Sequence, residues 1–286
     1  MKYFCLVLVS ILISCSEKKD SPKSPLISEK LEPLKLSSAD SLKIVGYWRE
    51  ANRAGLYSEK RQKYLDSALL IKPDSAYFWQ QKAMPLYKAR KYSLGKPFLA
   101  EAVKYDPAGN LDYSGFMKCI FSKEYEESIQ ELLEAKKRFG DSYVMDHTYN
   151  FYIGLDYLQL NEFEKAKEYL IKSQEQQFQD FPDDTPEEAC HYLDWFYLGI
   201  AEYELNNFEL AVENFNMSLK VYENFGDAMY FKAICLRNLD SLEEAKSVFE
   251  LALENNQNTI NEDNVFYEVY PYQIFHRLSP MTRETE

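Results

Sequence analysis

Large apolar residues and small residues recur along this chain in one repeating order. The segments 160–166, 205–211 and 239–245 each begin with leucine and end with alanine, and an apolar residue follows four positions after each alanine. Apolar positions spaced by three and four residues predict amphipathic helices. The last two alanines are 34 residues apart, as are Pro73 and Pro107, each of which ends a helical pattern. The sequence therefore predicts pairs of helices with a period of 34 residues.

A 34-residue unit with small residues at positions 8 and 20 and large residues around them resembles the tetratricopeptide repeat. In the unit that starts at Tyr192, positions 4, 7, 8, 17, 20 and 24 are Trp195, Leu198, Gly199, Phe208, Ala211 and Phe215. The resemblance implies an all-α fold, a right-handed solenoid of helix-turn-helix hairpins. We expect about six repeats within residues 39–259, namely 42–75, 76–108, 109–146, 147–191, 192–225 and 226–259.

Two of the six repeats depart from the pattern. In repeat 109–146, Gly115 and Phe116 occupy positions 7 and 8, which inverts the usual order of the large and the small residue. In repeat 42–75, Arg61 stands where a small residue belongs. We therefore expect the first hairpin to be irregular.

Eleven extra residues separate the fourth repeat from the fifth. They fall within 176–188, where five carboxylates are crowded together. A calcium site is one interpretation, but the ligand spacing of a calcium loop is missing. The sequence Thr185-Pro186-Glu187-Glu188 matches a capping box with proline at the first helical position, which favours the start of a helix.

The repeat pattern stops after Thr259, and an aromatic segment follows at 266–275. The open end of a solenoid exposes an apolar face that has to be covered. We interpret residues 260–286 as a C-terminal aromatic cap and tail. A docking site formed by the rings of this segment is the second possibility.

The first residues of the chain predict an export signal. Lys2 precedes an apolar run that is too short to remain in a bilayer as a spanning helix. The sequence Leu-Ile-Ser-Cys at 12–15 resembles a bacterial lipobox, which implies removal of residues 1–14 and lipidation of Cys15. An ordinary signal peptide with an accidental cysteine is the alternative.

Residues 15–38 are polar and contain three prolines, so we expect a flexible tether between the lipid and the folded domain. The implied location is the bacterial cell envelope, with the chain anchored to a membrane through Cys15. Ser16 follows the lipidated cysteine, and the absence of aspartate there favours the outer membrane.

Composition narrows the classes of partner and of chemistry. The formal net charge of -13 disfavours nucleic acid, because phosphates would be repelled. The three histidines, His147, His191 and His276, show no metal-ligand spacing, and the chain contains no phosphate-binding loop or nucleophile elbow. We expect no enzyme activity, no cofactor and no metal. Three further cysteines form no CxxC pair and are expected to be small buried residues: Cys119, Cys190 and Cys235.

Tetratricopeptide arrays bind peptides or proteins in a concave groove formed by the first helix of each hairpin, chiefly at positions 2, 5, 9 and 12. This resemblance assigns to the groove an aromatic and apolar set: Tyr77, Met84, Tyr87, Tyr113, Met117, Phe151, Leu155, Phe196, Ile200, Tyr203, Tyr230 and Ile234. For each of these residues, packing in the core is the competing interpretation. The basic and amide residues that some family members use to bind a peptide carboxylate are not found.

The sequence thus predicts a lipid-anchored envelope scaffold that binds a protein or peptide partner in its groove. A nutrient-binding lipoprotein, with rings stacked on a glycan or other small ligand, is the first alternative. An outer-membrane assembly factor is the second alternative, and it rests on shared architecture alone.

Overall fold

The computed structural model describes residues 35–260 and 268–274. The predicted signal peptide at 1–14, the lipidation site Cys15 and nearly all of the predicted tether lie outside these residues. The first helix begins at Ser38, where Ser37 caps it by accepting a hydrogen bond from the backbone N–H of Asp40.

The described chain is built from helices, as the sequence predicts. Most of them form six consecutive pairs, which confirms the all-α solenoid of helix-turn-helix hairpins. The pairs are α1 Ser38–Arg53 with α2 Glu59–Ile71, α3 Ala76–Lys88 with α4 Tyr92–Tyr105, α5 Pro107–Met117 with α6 Tyr125–Phe139, α7 Tyr149–Gln159 with α8 Phe163–Asp180, α10 Tyr192–Glu204 with α11 Phe208–Val221, and α12 Gly226–Asn238 with α13 Leu242–Glu254.

Three short elements interrupt this regular order. A π-helical turn, Lys118–Ser122, continues α5, and a one-turn helix, α9, spans Pro186–Ala189. Between α6 and α7, strands β1 Tyr143–Val144 and β2 His147–Thr148 form an antiparallel hairpin.

Glycines on the first helices let the two helices of a pair approach closely. A Cβ atom on Gly199 would lie 2.7 Å from a ring carbon of Phe215, and one on Gly154 would lie 2.7 Å from Leu170 Cγ. Both distances are far below van der Waals contact, so a larger residue would push the helices apart. This is the physical basis of the small residue at position 8.

The third pair shows why its sequence pattern is inverted. A Cβ atom on Gly115 would lie 2.7 Å from Leu132 Cγ, so Gly115 makes the close approach that position 8 makes in the other pairs. The π-helical turn Lys118–Ser122 then adds one residue before α6. Our alignment of this repeat is therefore wrong by one position in its first helix. Tyr113 and Met117 do not occupy the groove positions to which it assigns them.

The first pair accommodates Arg61 through hydrogen bonds from the two terminal nitrogens of its guanidinium group. Arg61 is buried, and it donates to Ala51 O at 3.1 Å, Asn52 Oδ1 at 3.2 Å and Gln81 Oε1 at 2.8 Å. Its guanidinium also lies 5.5 Å from the ring centre of Trp48. A large cation thus replaces the small residue by binding the end of α1.

The eleven extra residues lengthen α8 to 18 residues and form α9. The predicted capping box is present, because the Glu188 carboxylate accepts from the Thr185 backbone N–H at 3.1 Å and from its hydroxyl at 2.9 Å. These bonds lower the pKa of Glu188. The acidic cluster thus supplies a helix start.

Two further results concern the described residues as a whole. Cys119, Cys190 and Cys235 are buried and form no disulfide, in agreement with the sequence analysis. Among the residues for which the structure gives coordinates, no helix combines the length and apolar character needed to cross a bilayer.

The close approach at Gly199 makes a stability prediction. We expect Gly199→Ala to lower the free energy of unfolding by about 1–3 kcal/mol, because the new methyl group overpacks against Phe215. Gly46→Ala is the matched control, since a Cβ atom there meets no atom within 4 Å and should stabilise α1 by about 0.5–1 kcal/mol. Chemical denaturation of both variants measures the difference. Equal effects would contradict the account.

Candidate functional site

The structure divides the twelve predicted groove residues into two sets. Six of them lie in the core, with no more than 1% of their surface exposed: Tyr87, Met117, Phe151, Leu155, Phe196 and Ile200. The other six remain exposed or half-buried: Tyr77, Met84, Tyr113, Tyr203, Tyr230 and Ile234. Only the second set has surface to offer a partner in this conformation.

Phe196 illustrates why the core set is buried. Its ring centre lies 5.0 Å from that of Tyr197, 5.1 Å from Phe225 and 5.9 Å from both Phe215 and Phe231. Such edge-on and tilted ring pairs stabilise a core beyond the area they bury. The high aromatic content of the chain thus serves the contacts between pairs as much as any groove.

The C-terminal segment 268–274 lies against the first helices of several pairs. Tyr270 and Ile274 are buried in the main core, and the ring of Tyr272 packs 5.9 Å from that of Phe231 on α12. At the other end of the segment, Glu268 acts electrostatically on Tyr113 of α5. The segment therefore contacts the last pair through α12 and reaches back to the third pair. The open end that the predicted cap was expected to cover keeps exposed apolar side chains, Leu242 and Phe249 of α13. We call residues 268–274 the groove segment.

Side chains of the solenoid hold the groove segment by its backbone. Tyr197 donates from its hydroxyl to Pro271 O at 2.9 Å, and Lys123 Nζ donates to Val269 O. Asp227 accepts from the backbone N–H of Ile274 at 2.8 Å. Since these bonds use main-chain atoms of the segment, they hold it largely without regard to its side chains.

Asp227 joins the two ends of the C-terminal region. Its second carboxylate oxygen accepts from the N–H of Ile260 at 2.7 Å, so the residue that follows the last pair and the end of the groove segment share one acceptor. Burial raises the pKa of Asp227 to about 7, although the two amide bonds work against that rise. The amides thus offset part of the free energy that the buried carboxylate costs.

A turn at Pro271 and Tyr272 fits the groove segment to the helices. Tyr272 has φ of 60°, a left-handed conformation that a non-glycine residue adopts at a cost of about 1 kcal/mol. Its hydroxyl donates to Glu204 Oε1 at 2.8 Å, and its ring contacts Phe231. These two contacts compensate for the unfavourable backbone.

The two ends of the array retain exposed apolar surface. Near the start, Tyr77 has 49% of its surface exposed and its ring lies edge-on to Trp48 at 5.2 Å. At the other end, Tyr230, Ile234 and Phe249 line a cleft on the last pair. The middle of the groove, by contrast, is covered by the groove segment.

Sequence reasoning missed the residues that hold the groove segment. Asp227 stands at position 2 of repeat 226–259, which is one of the groove positions. A single carboxylate among apolar groove residues could have indicated a hydrogen-bond acceptor in the groove. Tyr197 and Lys123 lie outside the groove positions, and no local pattern marks them. The structure also brings together His147 of β2 with His191 and Asp194, which lie three residues apart at the start of α10. The pair at 191 and 194 was a local signal, whereas the contact with His147 was not visible along the chain.

Comparison with known proteins supports the fold. No protein-family model matches the chain, and no curated protein sequence matches it. Among solved structures, PilF of Pseudomonas aeruginosa is similar, with a TM-score of 0.55 and 18% identity over 77% of this chain and 90% of that one. PilW, a type IV pilus biogenesis factor, has a TM-score of 0.54 and 14% identity over 78% of this chain and 92% of its own. These likenesses support a tetratricopeptide-repeat solenoid.

Removal of the Asp227 carboxylate should release the groove segment. At pH 8, where a carboxyl group with a pKa of about 7 is mostly ionised, we expect Asp227→Ala to speed hydrogen exchange at the amides of Ile260 and Ile274 by at least about tenfold, because each bond to a charged acceptor contributes about 1.5–3 kcal/mol. Nuclear magnetic resonance or mass spectrometry measures the exchange. Asp183→Ala, which removes an exposed carboxylate, is the control. Unchanged protection of both amides in Asp227→Ala would show that this contact does not hold the segment.

Proposed function

We propose that this chain is a lipid-anchored scaffold of the bacterial cell envelope that binds a protein or peptide along the first helices of its solenoid. The observation that carries the proposal is the groove segment itself, a stretch of irregular chain with one turn that is held through its backbone by Lys123, Tyr197 and Asp227. A surface that binds the backbone of one segment in this way has the donors and acceptors to bind another.

The partner and the groove segment compete for the same atoms. Tyr197 has one hydroxyl to donate, and Asp227 has already used both carboxylate oxygens on Ile260 and Ile274. Because the segment belongs to the same chain, it binds at a high effective concentration. A partner therefore gains the groove only by displacing the segment, which makes binding selective for partners with enough surface to replace it.

The chemistry of the segment indicates the chemistry of the partner. Glu268, Tyr270 and Ile274 are buried, whereas Val269 is 40% exposed. A competing peptide needs apolar or aromatic side chains at the places of Tyr270 and Ile274 and a polar or acidic side chain at the place of Glu268. Charged side chains at the two apolar places would lose their hydration, at a large cost in free energy.

The envelope location rests on the N-terminal sequence. Lys2, the short apolar run and Cys15 resemble a lipoprotein signal, and multiple acyl chains would hold the protein on a membrane without crossing it. Pilus biogenesis is a property stated for PilW, and its likeness to this chain is one of fold. We therefore propose the scaffold and its peptide-binding groove, and we assign no pathway.

Weakening the groove segment should increase partner binding. Tyr272→Ala removes the bond to Glu204 and the ring contact with Phe231, so we expect crosslinked capture of partners from native membranes to rise at least about fivefold. Excess synthetic peptide with the sequence of residues 268–274 should abolish this gain. Tyr57→Ala, which truncates a side chain that is 60% exposed, is the matched control.

Two results would contradict the groove proposal. If capture by Tyr272→Ala stays at the wild-type level and the peptide does not compete, partners bind elsewhere on the chain. If capture falls in Tyr272→Ala while circular dichroism shows an intact fold, the groove segment is part of the partner site. The proposal that the partner displaces the segment would then be wrong.

The lipid anchor has a separate test. We expect Cys15→Ala to move the chain from the membrane fraction to the soluble fraction and to abolish metabolic labelling with a radioactive fatty acid, because the acylated side chain is lost. Cys119→Ala is the matched control, since Cys119 is buried within the folded chain. Continued membrane association and labelling of Cys15→Ala would rule out the lipoprotein proposal.

A further inference from the structure

Two histidines and one aspartate meet at the start of the fourth and fifth pairs. His147 comes from β2, His191 caps the start of α10, and Asp194 lies in the first turn of α10. One ligand atom from each residue lies within 4.8 Å of the others. The residues that join these elements include the eleven-residue insertion, so the cluster connects parts of the chain that are distant in sequence.

The cluster contains buried polar atoms that have no hydrogen-bond partner. His147 has 3% of its surface exposed, and neither of its ring nitrogens is paired. Asp194 has 1% exposed, and its Oδ2 is likewise unpaired at 3.9 Å from His147 Nδ1, which is too far for a hydrogen bond. Nearly all buried polar groups in native proteins are satisfied, so three unpaired atoms on two neighbouring side chains require an explanation.

The other atoms of the cluster are held in place. Asp194 Oδ1 accepts from Ser173 Oγ at 2.6 Å and from Gln177 Nε2 at 2.9 Å, which orients Oδ2. The ring of Phe151 stacks on that of His147 at 4.0 Å. In metal sites, one oxygen of a carboxylate ligand commonly accepts hydrogen bonds while the other oxygen binds the ion. These hydrogen bonds fix the orientation of the ligand before the ion binds.

His191 provides an opening toward solvent. Its Nδ1 accepts from the N–H of Leu193 at 3.4 Å, a long hydrogen bond, so Nδ1 holds the lone pair of the unprotonated ring and Nε2 carries the proton. A metal ion would bind Nδ1 in place of this bond, or Nε2 after the proton moves to Nδ1. The half-buried ring lines a cleft that also includes Tyr143, Asp146 and Glu187. The cleft therefore leads from solvent to His191, and acidic residues line it.

The donor types of the cluster favour a metal cation. Two imidazole rings and one carboxylate each offer a lone pair to an ion, and imidazole is the commonest metal ligand in proteins.

We propose that His147, His191 and Asp194 bind a divalent transition-metal ion, with Zn²⁺ as the best-suited ion. Two imidazoles and one carboxylate are a common ligand set for Zn²⁺, whereas Ca²⁺ and Mg²⁺ prefer oxygen ligands alone. Small rotations of side chains already within 4.8 Å of one another would bring them to bond lengths of about 2.0–2.2 Å. The ion ties the β1–β2 hairpin to α10 across the insertion.

Metal binding by the full-length chain tests this proposal. The protein is purified in detergent, stripped with a chelator and titrated with Co²⁺ and then Zn²⁺, with absorption spectra and elemental analysis of the bound metal. We expect one ion per chain. His147→Gln, His191→Gln and Asp194→Asn should each weaken binding at least about tenfold, whereas His276→Gln, the remaining histidine of the chain, is the matched control.

A second measurement guards against variants that fail to fold. Zn²⁺ should raise the unfolding temperature of the wild-type chain and of His276→Gln, and it should not raise that of His191→Gln, whose side chain is only partly buried. The proposal is overturned if the wild-type chain binds no metal above the level of His191→Gln. It is also overturned if only His276→Gln loses the ion.

Discussion

The close approach of the two helices in each pair is the constraint on which the rest of this structure depends. At Gly154 and Gly199 the facing side chain lies where a Cβ atom would be, so the glycine sets the distance between the helices. That distance determines which side chains of the first helices turn inward. A repeat array then propagates the arrangement, since each pair packs only against its neighbours.

The aromatic residues fill the space that this arrangement leaves. Phe196 and its ring neighbours join the fifth pair to the sixth, and Tyr270 and Ile274 of the groove segment complete the same core. The segment is therefore both a structural element and the occupant of the surface on which partners would bind. Its hold on the solenoid through main-chain atoms would let the same surface bind a partner after the segment is displaced, as we propose.

The fold could be predicted from the sequence because the repeat pattern reflects contacts within each helix pair, between residues that are close in the chain. Small residues at position 8 and prolines after the second helices have direct physical causes, and the capping box at Thr185 formed as its residues indicate. The third pair shows the limit of this reasoning. A single added residue in the π-helical turn shifts the register, and no rule of spacing revealed it before the structure placed Gly115 against Leu132.

The site was harder to predict, because it is made by contacts between residues far apart in the chain. The position of an aromatic residue in a repeat does not show whether its ring lines the groove or packs in the core. Phe151 and Phe196, both at predicted groove positions, are buried in the core. The cluster of His147, His191 and Asp194 likewise depends on the path of the insertion.

The central claim is that the groove segment lies on the first helices in the full-length protein. A photo-crosslinking amino acid at position 203, close to Tyr272, tests it most directly. The account predicts that mass spectrometry finds intramolecular crosslinks from position 203 to residues 268–274. Crosslinks to other parts of the chain or to solvent, with none to the segment, would contradict it.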